Sequence, residues 1–253
     1  MISYAKEASI GTITMARPPV NAMDGAFVDA FDAVLGQAEV SEPTVLVIRS
    51  ETPCFSAGAD LGMIQGYFGS AEGTAAMVAY VKELHRLFRR LEAIQAVTLA
   101  SIGGPALGGG LELALSCDLR IASTSAKIGL PEARVGMIPG AGGTQRLPRL
   151  CGPGVASRLI LGGEIVDGTE AHRLGITQWV AAPDELEART AAIAERAADL
   201  SRPALLASKD CIAAYFDPEV DGYAREIDKP LVLMETVEAR TRIAEFFNAA
   251  RKR

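Results

Sequence analysis

The stretch 103-GGPALGGGLELALSCD-118 decides how the rest of the chain is read. Five glycines and one proline fall in its first eight residues, and an apolar run with the carboxylate Glu112 inside it follows. Glycine costs conformational entropy on folding, so a cluster ahead of a helix-like run points to backbone that approaches something closely. A strand ending near Gly103 would deliver a glycine turn to a helix over Leu111–Ser116. Unpaired N–H groups at such a helix start, reinforced by the macrodipole, can hold an oxyanion. With no side chain at Gly109, a ligand carbonyl can lie against that N–H. A close helix–sheet crossing needs the same small residues, so this stretch alone leaves both readings open.

Familiar glycine motifs do not fit. A Walker loop requires Lys-Ser/Thr after its last glycine, whereas Gly110 is followed by Leu111 and Glu112. Neither "GGPALGGG" nor "GAGGTQ" at Gly140–Gln145 has the first, third and sixth glycines of a dinucleotide fingerprint. No GxSxG elbow is present for an esterase-type serine.

The totals narrow the field further. The 253 residues are 49% hydrophobic, enough for one sizeable core, and the formal charge is −6. That sign disfavours a nucleic-acid partner, whose phosphates reward basic surfaces. Cys54, Cys117, Cys151 and Cys211 are scattered, with no CxxC pair, and the histidines are only His85 and His172. Neither a zinc site nor a disulfide framework is expected. The start, MISYAKEASI, lacks a basic then apolar leader, and no apolar run approaches the ~20 residues of a membrane span. The expectation is a soluble cytoplasmic protein with no membrane partner.

Short β-branched runs alternate with helical stretches. "SIGTITMA", "TVLVIRS", "AVTLASIGG", "DLRIAS" and "GITQWVAA" read as strands, and the unbroken apolar run Val45–Ile48 reads as buried on both faces. Between them, Met77, Val81, Leu84, Phe88 and Leu91 form one stripe of an amphipathic helix, with His85 one step off it. His172 falls in a short helix ending at a glycine. After about residue 182 the texture is helical, with Leu186, Ile193, Ala197 and Leu200 on one side of the first helix. The reading is an α/β core over residues 1–182 with a helical part over 183–253.

Two further stretches resemble the first. "CFSAGADLGM", Cys54–Met63, also follows a strand and ends at small residues beside a polar one. Two such loops could aim two backbone N–H groups at one carbonyl oxygen, a device worth about 3 kcal/mol per donor. In "GLPEARVGMIPGAGGTQRL", Gly129–Leu147, Glu132 follows a proline among apolar and glycine neighbours. Glutamates in such surroundings are suited to acid and base work. Glu132 paired with Arg134 or Arg146 is the bland alternative.

Taken together, "FSAGADL", "ALGGGLELALSCDLRIA" and "LPEARVGMIPGAGGTQRLPRL", in that order, resemble the enoyl-CoA hydratase/isomerase (crotonase) superfamily, and within it the hydratases. The resemblance runs from about Ile10 to Ile212. It implies a spiral of ββα turns followed by helices that build homotrimers, often paired into hexamers. It implies an acyl-CoA substrate and no cofactor or metal, since the substrate carries its own coenzyme A. The oxyanion donors would be the N–H groups of Ala59 and Gly109, with Gly58, Asp60 and Gly108 in the surrounding loops. The Ala57 carbonyl would accept from the adenine amino group, and Gly140 would line the water and thioester site. Glu112 and Glu132 match the two catalytic glutamates of the hydratases. Phe246 or Phe247 would pack near adenine, and Lys252 would reach a CoA phosphate.

The chain departs from the common hydratase form in its compact "ARPPVNAM" motif, in "IQGYFGSAEGTAAMVAY" after Met63, and in its C-terminal "TVEARTRIAEFFNAARKR". The second of these shapes the acyl pocket in the family. Alternatives on the same frame are double-bond isomerisation, ring opening or C–C cleavage of an acyl-CoA. Outside catalysis, the alternative is a protein that only holds CoA or RNA. Paired Glu112 and Glu132 speak against an inert pocket, and the acidic charge speaks against RNA.

Overall fold

The computed structural model describes residues 1–250. The chain divides into two compact units, residues 1–195 and residues from 196 on. In chain order the first holds β1 (Ile2–Glu7), β2 (Ile10–Met15), α1 (Gly25–Ser41), β3 (Val45–Ser50), α2 (Leu61–Gln65), α3 (Ala71–Ala93), β4 (Val97–Ile102) and β5 (Ala106–Leu107). There follow α4 (Gly109–Leu115), β6 (Leu119–Ser123), β7 (Lys127–Gly129), a 3-10 turn at Glu132–Val135, α5 (Gly143–Ile160), β8 (Ile165–Asp167), α6 (Gly168–Arg173) and β9 (Trp179–Ala181). Helix α7 (Leu186–Ala198) leads out of this unit, and the second unit contains α8 (Arg202–Ala214), α9 (Gly222–Leu233) and α10 (Val237–Ala250).

Six strands form one sheet in the order β1-β2-β3-β4-β6-β9. Only β1 and β2 are antiparallel, since the two residues between them allow a hairpin, with Ala8 at φ 50°. The remaining pairs are parallel and need longer crossovers, which carry the helices. Strand β4 is buried along its whole length, and Val45–Ile48 of β3 are buried likewise. A second sheet, β5-β7-β8, is small and sits among the loops that build the site.

Helices α1 and α3 pack Phe27, Phe31, Leu87, Phe88 and Leu91 against Ile13, Leu46 and Ile48 of the sheet. Each such side chain contributes about 1.5–3 kcal/mol by leaving water. The apolar stripe of α3 follows its sequence periodicity. Leu84, Phe88 and Leu91 are buried, while Met77 and Val81 are half-buried toward the site. Asp24, Asp60 and Ser70 begin α1, α2 and α3 by accepting the amides of Phe27, Met63 and Gly73 at 2.8–2.9 Å.

Strands β1, β5, β7 and β8 are absent from the sequence reading. The burial of β1 is confined largely to Ile2, as befits an edge strand, so no apolar run marks it. The other three have only two or three residues and exist because tertiary pairing holds them. Helices α8, α9 and α10 fall within the helical part read over residues 183–253. On α7, Leu186 and Ile193 are buried, but Leu200 lies beyond the helix end and is 51% exposed. The compact division falls inside α7, C-terminal to the change of texture at residue 182.

The glycine cluster has a steric origin. A Cβ built at Gly110 would stand 2.1 Å from the Ser56 carbonyl oxygen, and one at Gly104 would stand 1.9 Å from that of Pro53. The segment around Pro53–Ser56 lies on these glycines, paired through the Ser56–Ala106 bridge and the Leu107 amide to Ser56 O at 3.0 Å. Gly110→Ala should therefore cost about 2–3 kcal/mol, lowering the melting temperature by about 5–10 °C. A thermal melt of the variant checks this, and an unchanged melt would refute the contact.

Candidate active site

Asn21 anchors the first loop. Its side-chain amide donates to the carbonyls of Cys54 and Phe55 at 3.1 and 3.0 Å, and its own carbonyl accepts from the Ser56 hydroxyl at 2.8 Å. Just beyond, Met23 and Ala59 form a parallel bridge. Met23 donates to Gly58 O at 2.8 Å, and Met23 O accepts from Asp60 N at 2.9 Å. This pairing uses the Gly58 carbonyl and the Asp60 N–H, and the Ala59 N–H, trans to that carbonyl in the same peptide unit, points the other way. Among the described residues it has no hydrogen-bond partner.

The second loop arrives from β5. Gly108 takes φ 53° and donates to Gly129 O, and Gly109 opens α4 with an N–H that is likewise unpartnered among the described residues. The two loops are in tight contact. A Cβ on Gly58, at φ 88°, would come within 2.8 Å of both Gly109 N and Leu107 O. One on Gly109 would lie 3.5 Å from Ala59 N. Two free amides thus sit side by side on one cavity wall.

That cavity has a volume of about 270 Å³. Ala57, Ala59, Gly108, Gly109, Glu112, Glu132 and Gly140 all line it, so the structure gathers most of the sequence-predicted residues into one place. Gly58 acts as the spacer between the loops. Asp60 is occupied as the N-cap of α2. Phe246 belongs to α10 in the second unit, 71% exposed and edge-on to Phe247 at 5.8 Å between ring centres. Lys252 lies outside the described residues. His85 and His172 do not line the cavity.

Glu112 is 2% exposed, one turn into α4. Its Oε1 accepts the amides of Ala141 and Gly143 at 2.8 and 2.7 Å, while Oε2 makes no hydrogen bond among the described residues. Arg146 braces the same turn by donating to Ala141 O at 2.8 Å, and its guanidinium pairs with Glu92 at 2.6 Å. The carboxyl of Glu132 lies over Gly108, where an added Cβ would be 2.8 Å from Oε1, and its Oε2 is buried without a partner among the described residues. Arg134 donates instead to Gly163 O at 2.7 Å. Neither glutamate is held in an arginine ion pair, so the bland reading of Glu132 does not describe this site.

Sequence reading missed three contributors. The Ala141 and Gly143 amides were visible only as a glycine-rich turn before α5, and that pattern of bare backbone was the available signal. Tyr80, 7% exposed on the α3 wall with Met77, Val81 and Leu84, carried no signal beyond helical spacing.

A sequence model described as enoyl-CoA hydratase/isomerase matches residues 5–243. The chain belongs to that family. It is 35% identical over 219 residues to the short-chain-enoyl-CoA hydratase of Clostridium acetobutylicum, covering 85% of this chain and 82% of that one. To the crotonyl-CoA hydratase of Syntrophomonas wolfei it is 34% identical over 223 residues, 87% and 84% of the two chains. The solved enoyl-CoA hydratase of Bacillus anthracis superposes with a TM-score of 0.90 at 30% identity, over 98% of this chain and 96% of its own. Crotonase-type architecture is therefore the fold, and no helix among the described residues is long and apolar enough to cross a membrane.

In this enoyl-CoA hydratase/isomerase family member, both cavity carboxyls are pushed upward. For Glu112, burial is the largest influence, opposed by the Gly143 amide and reinforced by nearby Glu132; the result is about 7 against an ordinary 4.5. Burial also raises Glu132. A carboxyl that holds its proton more tightly when folded adds stability below its unfolded value and loses that contribution as pH rises to its folded value. Glu112 should thus weaken the fold between pH 4.5 and about 7, by about 3 kcal/mol in full. Gln at this position keeps an oxygen for the two amides and carries no charge. Denaturant titrations should show Glu112→Gln gaining on the wild type by about 2.5 kcal/mol from pH 5 to pH 8; a constant difference would contradict the raised value.

Proposed function

We propose that this protein adds water across the double bond of trans-2-enoyl-CoA thioesters, giving 3-hydroxyacyl-CoA. The observation that carries the reading is the convergence, on one apolar cavity, of two carboxyls without an ion-pair partner and two backbone amides without an acceptor among the described residues.

In this reading the thioester oxygen lies between the N–H groups of Ala59 and Gly109. Fixed dipoles at that oxygen stabilise the enolate-like charge that develops when C3 is attacked, with no reorganisation at the moment of reaction. Glu112, ionised and oriented by the Ala141 and Gly143 amides, takes a proton from water as its oxygen bonds to C3. Glu132 gives its proton to C2, completing the addition. The proton left on Glu112 passes to solvent, and Glu132 is reprotonated before the next turnover. A single carboxyl suffices to shift a double bond, whereas addition of water is served by two.

Met77, Val81 and Leu84 offer the acyl chain an apolar wall. The Ala57 carbonyl takes the adenine amino group, and Gly140 lines the water and thioester site. The reading needs no cofactor and places the enzyme in the cytoplasm, in keeping with its four free cysteines. Trimers or hexamers go with it, and the exposure of Ile227, Leu231, Val232 and Ile243 in the second unit supports such assembly.

Hydration of crotonyl-CoA, followed by loss of the enoyl thioester absorbance, tests the proposal. Glu112→Gln and Glu132→Gln should each lower kcat by on the order of 10²-fold. In the wild type kcat/KM should rise with pH as Glu112 ionises, with a midpoint above the ordinary carboxylate range. An undiminished rate in Glu112→Gln would overturn the assignment. Conversion of a 3-enoyl-CoA to its 2-enoyl isomer without hydration would make the protein an isomerase.

A further inference from the structure

Tyr80 is buried on the α3 wall. Its hydroxyl donates to the carbonyl of Met23 at 2.7 Å. The same carbonyl accepts from Asp60 N at 2.9 Å, and Met23 N holds Gly58 O at 2.8 Å. Met23 is therefore tied on both sides of Ala59, and its sulfur would lie 3.6 Å from a Cβ placed on Gly109. Tyr80 is thus the only described side chain that hydrogen-bonds the Met23 carbonyl. Burial, followed by the nearby Asp24 and Glu112 carboxylates, keeps its phenol protonated and a donor.

Resting on the reading of Ala59 and Gly109 as oxyanion donors, we propose that Tyr80 is a positioning residue: its hydroxyl fixes the Met23 carbonyl, and through the Met23–Ala59 bridge it sets the direction of the Ala59 N–H. A backbone segment that accepts one hydrogen bond instead of two can tilt, and a donor misplaced by a fraction of an ångström loses most of its benefit at a developing charge. The ring meanwhile supplies part of the apolar wall. Tyr80→Phe removes only the hydroxyl and leaves the wall in place, so ground-state binding and transition-state stabilisation should separate.

Two measurements make the test. The first is kcat and KM of Tyr80→Phe on crotonyl-CoA, where kcat should fall on the order of tenfold and KM should stay within twofold. The second is the ultraviolet band of bound 2,4-hexadienoyl-CoA, recorded in Glu112→Gln so that the probe persists. Polarisation of the thioester carbonyl moves this band to longer wavelength, and Tyr80→Phe added to Glu112→Gln should reduce the displacement by half or more. Val78→Ala in the same background alters an exposed position of the same helix outside the cavity wall and should leave the displacement unchanged.

A purely structural Tyr80 would lower the melting temperature and leave band and kcat untouched, and that result overturns the proposal. So does an equal loss of displacement in Val78→Ala. If the band moves in Glu112→Gln and diminishes in the double variant, while the wild type fails to hydrate crotonyl-CoA, the positioning role stands and the hydration reading falls. If bound hexadienoyl-CoA shows no displacement at all, there is no oxyanion contact for Tyr80 to set, and the proposal fails.

Discussion

Backbone pressed against backbone is the constraint on which this protein's site depends. The segment from Pro53 to Ala59 lies on the glycines of 103–110 so closely that side chains at Gly58, Gly104 or Gly110 would overlap main-chain atoms. Such proximity is unfavourable unless the polar groups are matched, and most are: Ser56 O takes the Leu107 amide, and Ser56 N gives to Pro105 O. The amides of Ala59 and Gly109, unpartnered among the described residues, are neighbours as a consequence of the contact. Packing that satisfies much of the loop backbone thus leaves this pair of donors on the cavity wall, where a ligand can complete them.

The two carboxyls answer a different constraint. Glu112 is nearly inaccessible, which favours its neutral form, yet two amides reach its Oε1 and favour the anion. Glu132 has burial without any such donor to its Oε2. Two chemically identical groups therefore occupy surroundings of different polarity, the condition under which one can work as a base and the other as an acid. The arginines nearby are engaged elsewhere, Arg146 with Glu92 and Ala141, and Arg134 with Gly163. Either one turned inward would hold a carboxylate ionised and remove the distinction.

Much of this was legible beforehand because the limiting features are written in residue type. Glycines at 108–110 and 58, glutamates at 112 and 132, and the β-branched runs of β2, β3, β4 and β6 all carry local signals. What stayed hidden is tertiary. Strands β5, β7 and β8 are too short for periodicity, and their identity comes from partners distant in sequence. The link from Tyr80 to Met23 spans 57 positions and rests on one hydroxyl, which no local pattern encodes. The Ala141 and Gly143 amides are in between: the glycine-rich turn announced bare backbone, but not its recipient.

The support of Glu112 has a consequence for how such a site can change over time. Its orienting donors are main-chain N–H groups, and so are the neighbouring pair at Ala59 and Gly109. Every residue except proline supplies that group, so replacements that fit the space leave these donors in place. The surrounding wall of Met77, Val81 and Leu84 is made of side chains and is free to vary. Donors fixed in the peptide chain and a wall built of exchangeable side groups are separately heritable, so a lineage can reshape the one while keeping the other.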